Sequence, residues 1–229
     1  MFDADRIEWL SFDCYGTLVD WETGICRAVS NVLAPHGVKL SDADILSLFS
    51  EVEPVIQQTS GYLEYWDVLC RVMGAIGKKR GLELNHSEVA RLADSLPDWP
   101  VFPEVVDALT ALQSRYKLAV ISNVDNDLFS TTAEAIGVDF DVVVTAQQVR
   151  SYKPDLKNFL VALERMGIQR HRWMHVAESL YHDIAPANKL GIASVWVNRS
   201  NRGGGTRHID AVADLEVSNL AELSARMCG

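Results

Sequence analysis

Residues 7–12 read IEWLSF, an apolar run too short for a helix, which delivers Asp13 straight into a Gly-Thr turn. That run predicts a short buried strand. Beyond the turn, apolar positions recur at helical spacing to about residue 95. They predict helices over 22–35, 41–57, 61–77 and 86–95, with Ile25, Val29, Val32 and Leu33 on one face of the first. Breaks fall at HGV, TSG and GKKRGLELN, and the block contains no strand-like alternation. The pattern changes at PDWPVFP. A helix over 103–115 is followed by KLAVIS (117–122), a helix over 126–136, FDVVVTA (140–146) and a helix over 155–166. WMHVAE (173–178), a helix over 183–190 and IASVWV (192–197) complete the alternation.

Strands alternating with helices of this length predict an α/β fold, a Rossmann-like parallel sheet of five or more strands covered on both faces. The helical block interrupts it directly after the first strand. The expected division is an α/β core from residues 1–19 and 97–229 and a helical domain over 20–96. No segment repeats. The glycine run in NRSNRGGGTRH (198–208) lacks the GK[ST] ending of a phosphate loop and reads as a surface loop.

Composition narrows the partners. Apolar residues make up 48% and charged residues 23% of 229, which excludes wholesale disorder. A net charge of −10 argues against nucleic acid or an anionic membrane as the main partner, so a small molecule is expected. Cys14, Cys26, Cys70 and Cys228 form no CxxC or Cys/His pattern, which suits reduced thiols in the cytoplasm. No apolar run reaches the length of a spanning helix, and the first residues do not resemble a signal peptide.

In an open parallel sheet, ligands gather beyond the carboxyl ends of the strands. Four predicted strands end in polar residues there: Asp13, then Ser122 and Asn123, then Lys153, then Glu178 and Asp183. Each has a bland explanation. Asp13 could cap a turn, Ser122 could form a turn of its own, Lys153 could be a solvated cation, and Asp183 could cap the following helix. Their convergence on one sheet edge is what those explanations leave out. A carboxylate nucleophile, a hydroxyl, an amide, a cation and a second carboxylate make up a covalent hydrolase.

FDCYGTLVD, ISN, SYKPD and AESLYHDIAPANKLGI, in that order, resemble the four motifs of the haloacid dehalogenase superfamily with a helical cap inserted after the first strand. The resemblance implies that Asp13 forms an aspartyl ester, which water then hydrolyses. Lys153 would keep that carboxylate ionised and neutralise an anionic substrate, Thr17 and Ser122 would orient the carboxylate, Asn123 would donate to the leaving group or the substrate, and Asp183, with or without Glu178, would position or activate water. Backbone N–H groups of the Cys14–Gly16 turn would face the substrate, and Tyr15, Glu178, Ser179 and Phe159 would line its pocket. The superfamily also leaves room for a homodimer.

Within the superfamily, phosphatases carry a second aspartate two residues after the nucleophile, whereas this chain has Tyr15. A phenol with a pKa of about 10 is a poor proton shuttle at neutral pH, and a departing halide needs no proton. The expected reaction is therefore the 2-haloacid dehalogenase type on a short carboxylic acid, with no cofactor. Two alternatives stand beside it. A Mg²⁺-dependent phosphatase would use Asp13, Glu178 and Asp183 as ligands. A ring-opening hydrolase would act on a cyclic amino acid such as azetidine-2-carboxylate. The dehalogenase substrate-clamping arginine is missing, with Ser50 in its place, and Phe159 lies near a missing tyrosine. His175 is expected as a hydrogen-bonded core histidine, His182 as a rim residue, and GKKRG (77–81) as a solvated helix end.

Overall fold

The computed structural model describes residues 4–59, 61–199 and 210–229, so most of the predicted glycine-rich loop (198–208) lies outside the described residues. A six-stranded sheet has the order β3-β2-β1-β4-β5-β6, every neighbouring pair being parallel. The strands are β1 (Trp9–Phe12), β2 (Lys117–Ser122), β3 (Val142–Thr145), β4 (Trp173–Ala177), β5 (Ala193–Val197) and β6 (Leu215–Val217). Because β2 lies on one side of β1 and β4 on the other, strand order reverses beside β1. That is the place where a doubly wound sheet opens a crevice at its carboxyl edge.

Helices α1 (Trp21–Leu33), α2 (Asp42–Thr59), α3 (Tyr65–Lys79) and α4 (His86–Asp94) follow β1. In the sheet-bearing part come α5 (Val105–Gln113), α6 (Asn126–Ile136), α7 (Ala146–Val149), α8 (Lys157–Met166), α9 (Ala185–Leu190) and α10 (Leu220–Cys228). Two compact units result. Asp20–Pro100 forms the helical one, while the segments through Val19 and from Val101 form the sheet-bearing one.

β1 and β4 are buried along their whole length, as strands covered on both faces must be. Trp9, Ile121, Phe159, Met166, Trp173 and Ile192 pack into one cluster against the sheet. Two polar strand positions, Ser11 and His175, are completely buried in register with each other. Side chains alternate along a strand, so Ser11 shares the face of Trp9 and Asp13, and His175 shares that of Trp173.

The helical unit owes its local order to caps and close packing. Asp20 caps α1, its carboxylate accepting from Thr23 N at 3.2 Å and Thr23 Oγ1 at 2.8 Å. Asn85 and Glu88 form a reciprocal capping box on α4. Lys79 near the end of α3 pairs with Glu51 at 2.8 Å while both remain exposed, in keeping with a solvated helix end. Trp21 packs on Phe49, with centroids 5.7 Å apart, and Trp66 Nε1 donates to Asp94 at 3.2 Å. Among the described residues no helix is long and apolar enough to cross a membrane.

Gly24 of α1 lies against the Trp99 indole so closely that a Cβ there would overlap the ring. Gly24→Ala is expected to destabilise the protein by about 1–3 kcal/mol, because the buried indole must move. A thermal melt of the variant checks this, and an unchanged midpoint would contradict the packing.

Candidate active site

Asp13 leaves β1 with its N–H bonded to the carbonyl of Val176 at 3.0 Å, which fixes it at the carboxyl edge. The following turn is closed by Leu18 N and Val19 N on the carbonyl of Cys14, at 2.7 and 3.0 Å. Gly16 adopts φ 106°, a conformation that disfavours any side chain. Its N–H donates to Val19 O at 2.8 Å, so this amide serves the turn and not the substrate expected from the sequence. Cys14 is buried, and the Cys14, Cys26, Cys70 and Cys228 thiols are all free.

Thr17 returns to the aspartate. Its hydroxyl accepts from Glu178 N at 3.0 Å and donates to Asp13 Oδ2 at 2.9 Å. The other carboxylate oxygen, Oδ1, accepts from Lys153 Nζ at 2.8 Å. That ammonium also donates to Asp183 Oδ1 at 2.6 Å and to the carbonyl of Ile121 at 2.8 Å. All three of its N–H bonds are thereby used. Lys153 is 2% exposed, Asp13 7% and Asp183 1%, so one buried cation holds two buried anions.

The segment carrying Lys153 is braced by Asn123. The amide Oδ1 accepts from Lys153 N at 2.7 Å and Nδ2 donates to Lys153 O at 3.1 Å. Asn123, expected to serve the leaving group, is thus engaged with the lysine's backbone. Ser122 Oγ is buried without a hydrogen-bond partner among the described residues and does not bond Asp13, contrary to its expected orienting role.

Asp183 is not a helix cap. After β4 the chain makes a π-turn over Leu180–Ile184, with Ile184 N reaching back to Ser179 O at 3.3 Å. Asp183 lies within this widened turn and is buried. Ser179 is the cap, accepting from His182 N at 3.1 Å, and its Oγ lies 3.2 Å from His182 Nδ1. Its hydroxyl therefore serves the turn instead of the substrate pocket. Phe159 is likewise corrected: it is fully buried in the core cluster, edge-on to the His175 ring at 5.0 Å. An apolar side chain two positions into α8 was drawn into the core by the same amphipathic pattern that makes the helix. Glu178 fixes two neighbours through its backbone, the N–H on Thr17 and the carbonyl accepting from Trp196 Nε1 at 2.9 Å.

Electrostatics follow from this burial. Burial foremost raises the Asp13 carboxyl above the usual carboxylate range, with Asp183's charge adding, against the pull of Lys153 and the hydrogen bonds from Lys153 and Thr17. Burial pushes the Lys153 ammonium down, but the charges of Asp13 and Asp183 overcome it and the net direction is up. Burial also raises Asp183, yet Lys153's charge and the bond from His175 overrule it and hold its carboxyl at about 2. These directions agree physically: one cation serves two anions, and Asp13 receives the smaller share. The Tyr15 phenol is held well above its ordinary value, chiefly by burial, and its oxygen lies 2.9 Å from Thr132 Oγ1. Since that threonine hydroxyl donates to Leu128 O at 3.1 Å, the phenol is the donor.

Three contributors carry no motif signal. Ser11 and Trp173 bond into the His175 side of the site, through Ser11 Oγ at 2.7 Å from His175 Nδ1 and Trp173 Nε1 donating to Ser11 Oγ at 2.7 Å. Arg199 donates to the carbonyl of Thr17 at 2.8 Å, pairs with Glu104 at 2.7 Å and lies 3.7 Å over the Phe102 ring. Only the alternation of strand positions could have pointed to Ser11, and nothing local pointed to Arg199.

Lys153 Nζ fills the position between Asp13 Oδ1 and Asp183 Oδ1, and Thr17 holds Asp13 Oδ2. Among the described residues no group of three or more His, Cys, Asp or Glu side chains is arranged to hold a metal.

A family model described as haloacid dehalogenase-like hydrolase matches residues 10–197, which include Asp13, Thr17, Lys153, His175 and Asp183 but not Arg199. The chain belongs to that family. This haloacid dehalogenase-like hydrolase is 24% identical over 231 residues to (S)-2-haloacid dehalogenase 4A of Burkholderia cepacia, covering 96% of this chain and 94% of the relative. It is 26% identical over 220 residues to the glyceraldehyde 3-phosphate phosphatase of Methanothermobacter thermautotrophicus, covering 93% and 95%. Two solved structures of the L-2-haloacid dehalogenase of Xanthobacter autotrophicus superpose with TM-scores of 0.84 and 0.83 at 20% and 19% identity, each covering 97% of this chain and 99% of that one. In the second, chloropropionic acid is covalently bound. At such identity the structures establish the fold of this hydrolase.

The charge arrangement predicts that Asp183→Asn lowers the Asp13 pKa, because a like charge is removed and Lys153 is left to Asp13 alone. The sign is fixed: a carboxyl raised by a neighbouring anion ionises at lower pH when that anion is neutralised. A ¹³C NMR titration of the carboxyl checks it, and an unchanged or higher midpoint would contradict it.

Proposed function

We propose that this hydrolase displaces a leaving group from carbon, in the manner of a 2-haloacid dehalogenase, with Asp13 as nucleophile. The observation that carries the proposal is the state of Tyr15. Its phenol donates to Thr132 and its pKa is driven up, so it is no general acid for a leaving alcohol near neutral pH. A halide departs unprotonated and needs none. The (S)-2-haloacid dehalogenase relative supports the same chemistry.

In the first step a carboxylate oxygen of Asp13 attacks C2 of the acid, an ester C–O bond forms, and the C–X bond breaks with its electron pair on the halide. Lys153 and Thr17 hold the attacking carboxylate in one orientation from opposite oxygens. In the second step water attacks Cγ of the ester while Asp183 takes its proton. The acyl C–O bond breaks, the alkoxide leaves and is protonated to a 2-hydroxy acid, and Asp13 returns to its carboxylate with one proton released to solvent. The helical unit Asp20–Pro100 is proposed as the cap of this hydrolase.

A panel of chloroacetate, (S)-2-chloropropionate, a phosphomonoester and azetidine-2-carboxylate, each with Mg²⁺ and with EDTA, tests the proposal. Halide release indifferent to EDTA is expected, falling about 10³-fold or more in Asp13→Asn. Metal-dependent phosphate release without halide release would replace the reading with the phosphatase one, and ring opening alone would replace it with the C–N hydrolase.

A further inference from the structure

Behind Asp183 a line of polar side chains runs into the core, formed by His175, Ser11 and Trp173. His175 is 0% exposed, as is Ser11, and the ring is walled by Phe159 edge-on at 5.0 Å. Buried polar atoms in such surroundings are retained only when fully bonded. His175 Nε2 lies 2.9 Å from Asp183 Oδ1 and Nδ1 lies 2.7 Å from Ser11 Oγ. Trp173 Nε1 reaches that same Ser11 oxygen at 2.7 Å.

Counting donors assigns the protons. The indole N–H can only donate, so Ser11 Oγ accepts from Trp173. An ionised Asp183 can only accept, so Nε2 of His175 carries a hydrogen. Ser11 has no third partner among the described residues, so its own O–H is satisfied only when it goes to Nδ1. That arrangement, which leaves no buried donor unpaired, puts the ring proton on Nε2.

The consequence falls on Asp183. Oδ1 receives two N–H donors, from His175 and Lys153, at 2.9 and 2.6 Å. Oδ2 is buried and has no hydrogen-bond partner among the described residues. We infer that His175 is a positioning residue: locked as the Nε2–H tautomer by Ser11 and Trp173, it saturates Asp183 Oδ1 and leaves Oδ2 as the oxygen that takes the proton from the hydrolytic water. The inference rests on the proposed ester mechanism for its chemical meaning, whereas the tautomer assignment stands on the free protein. The bonds changed are those of the second step: a water O–H breaks toward Oδ2 as the water oxygen bonds Cγ of the Asp13 ester, and the ester's C–O bond then breaks toward the product.

Two measurements test it together. In ¹⁵N-labelled free protein, the His175 ring is expected to carry its proton on Nε2 alone, and a proton on Nδ1 overturns the assignment. In single turnovers with (S)-2-chloropropionate, His175→Leu is expected to alkylate Asp13 at a rate within about threefold of the parent and to hydrolyse the ester about 10²-fold more slowly. Ester-bearing Asp13 peptide then accumulates, and His175→Gln, which keeps an N–H near the Nε2 position, recovers most of the hydrolysis. Unchanged hydrolysis in His175→Leu, or equal loss of both steps, overturns the positioning role. Should the leucine variant fail to fold, Ser11→Ala is read by the same two rates. A protein that releases no halide at all but shows the Nε2 proton refutes the proposed function and leaves the tautomer assignment intact, so the two failures are distinguishable.

Discussion

Everything at the carboxyl edge of the sheet depends on burying one ammonium between two carboxylates. An isolated charge in that place costs several kcal/mol of lost hydration, so the three groups are stable there only as a set. Lys153 spends all three N–H bonds on Asp13, Asp183 and the Ile121 carbonyl, which leaves it one orientation. The set carries one excess negative charge, and the charge falls where chemistry can use it. Asp183 keeps a carboxyl at about 2, while Asp13 is raised above the ordinary range by burial and its like-charged neighbour. Asp13, the proposed nucleophile, is thereby held weakly solvated beside a cation, a condition that favours attack on carbon.

The surrounding fold can be understood as the means of holding that set. β1 ends so that Asp13 N–H meets the carbonyl of Val176 on β4, tying Asp13 to the neighbouring strand. Asn123 at the end of β2 clasps both backbone groups of Lys153, so the cation is fixed from its main chain as well as its side chain. The π-turn after β4 presents Asp183 inward, and Ser179 closes its first turn. Thr17 links two of these elements through a single hydroxyl, accepting from Glu178 and donating to Asp13. Arg199, stacked on Phe102 and paired with Glu104, secures the carbonyl of Thr17 from the far side.

Most of the architecture was legible because it rests on periodicity. The five core strands and the helices between them follow alternating textures, and Asp13, Lys153 and Asp183 stood out because each follows a strand. What escaped notice had weaker local signals. β6 is three residues long, and α10 is a nine-residue helix whose buried Leu220, Leu223 and Met227 are interspersed with small and polar positions, so neither was predicted from the sequence. A π-turn differs from an α-helix by one residue and carries no compositional mark, so Asp183 was open to reading as a cap. Phe159 and Ser179 were expected in the pocket only through the family resemblance, whereas Phe159 packs in the core and Ser179 caps the π-turn, placements set by tertiary packing. His175 was legible as a bonded core histidine, whereas its partners were not, since Ser11 lies 164 positions away in the chain.

In the proposed reaction an oxygen of Asp13 becomes bonded to the substrate carbon, and water later attacks the aspartyl carbon. A single turnover of (S)-2-chloropropionate with excess protein in ¹⁸O-water, followed by mass measurement of the peptide containing Asp13, tests it most directly. ¹⁸O is expected in the Asp13 carboxyl and ¹⁶O in the hydroxyl of the first product formed. Label in that product with none in the peptide would mean that water displaces the halide directly, and would contradict it.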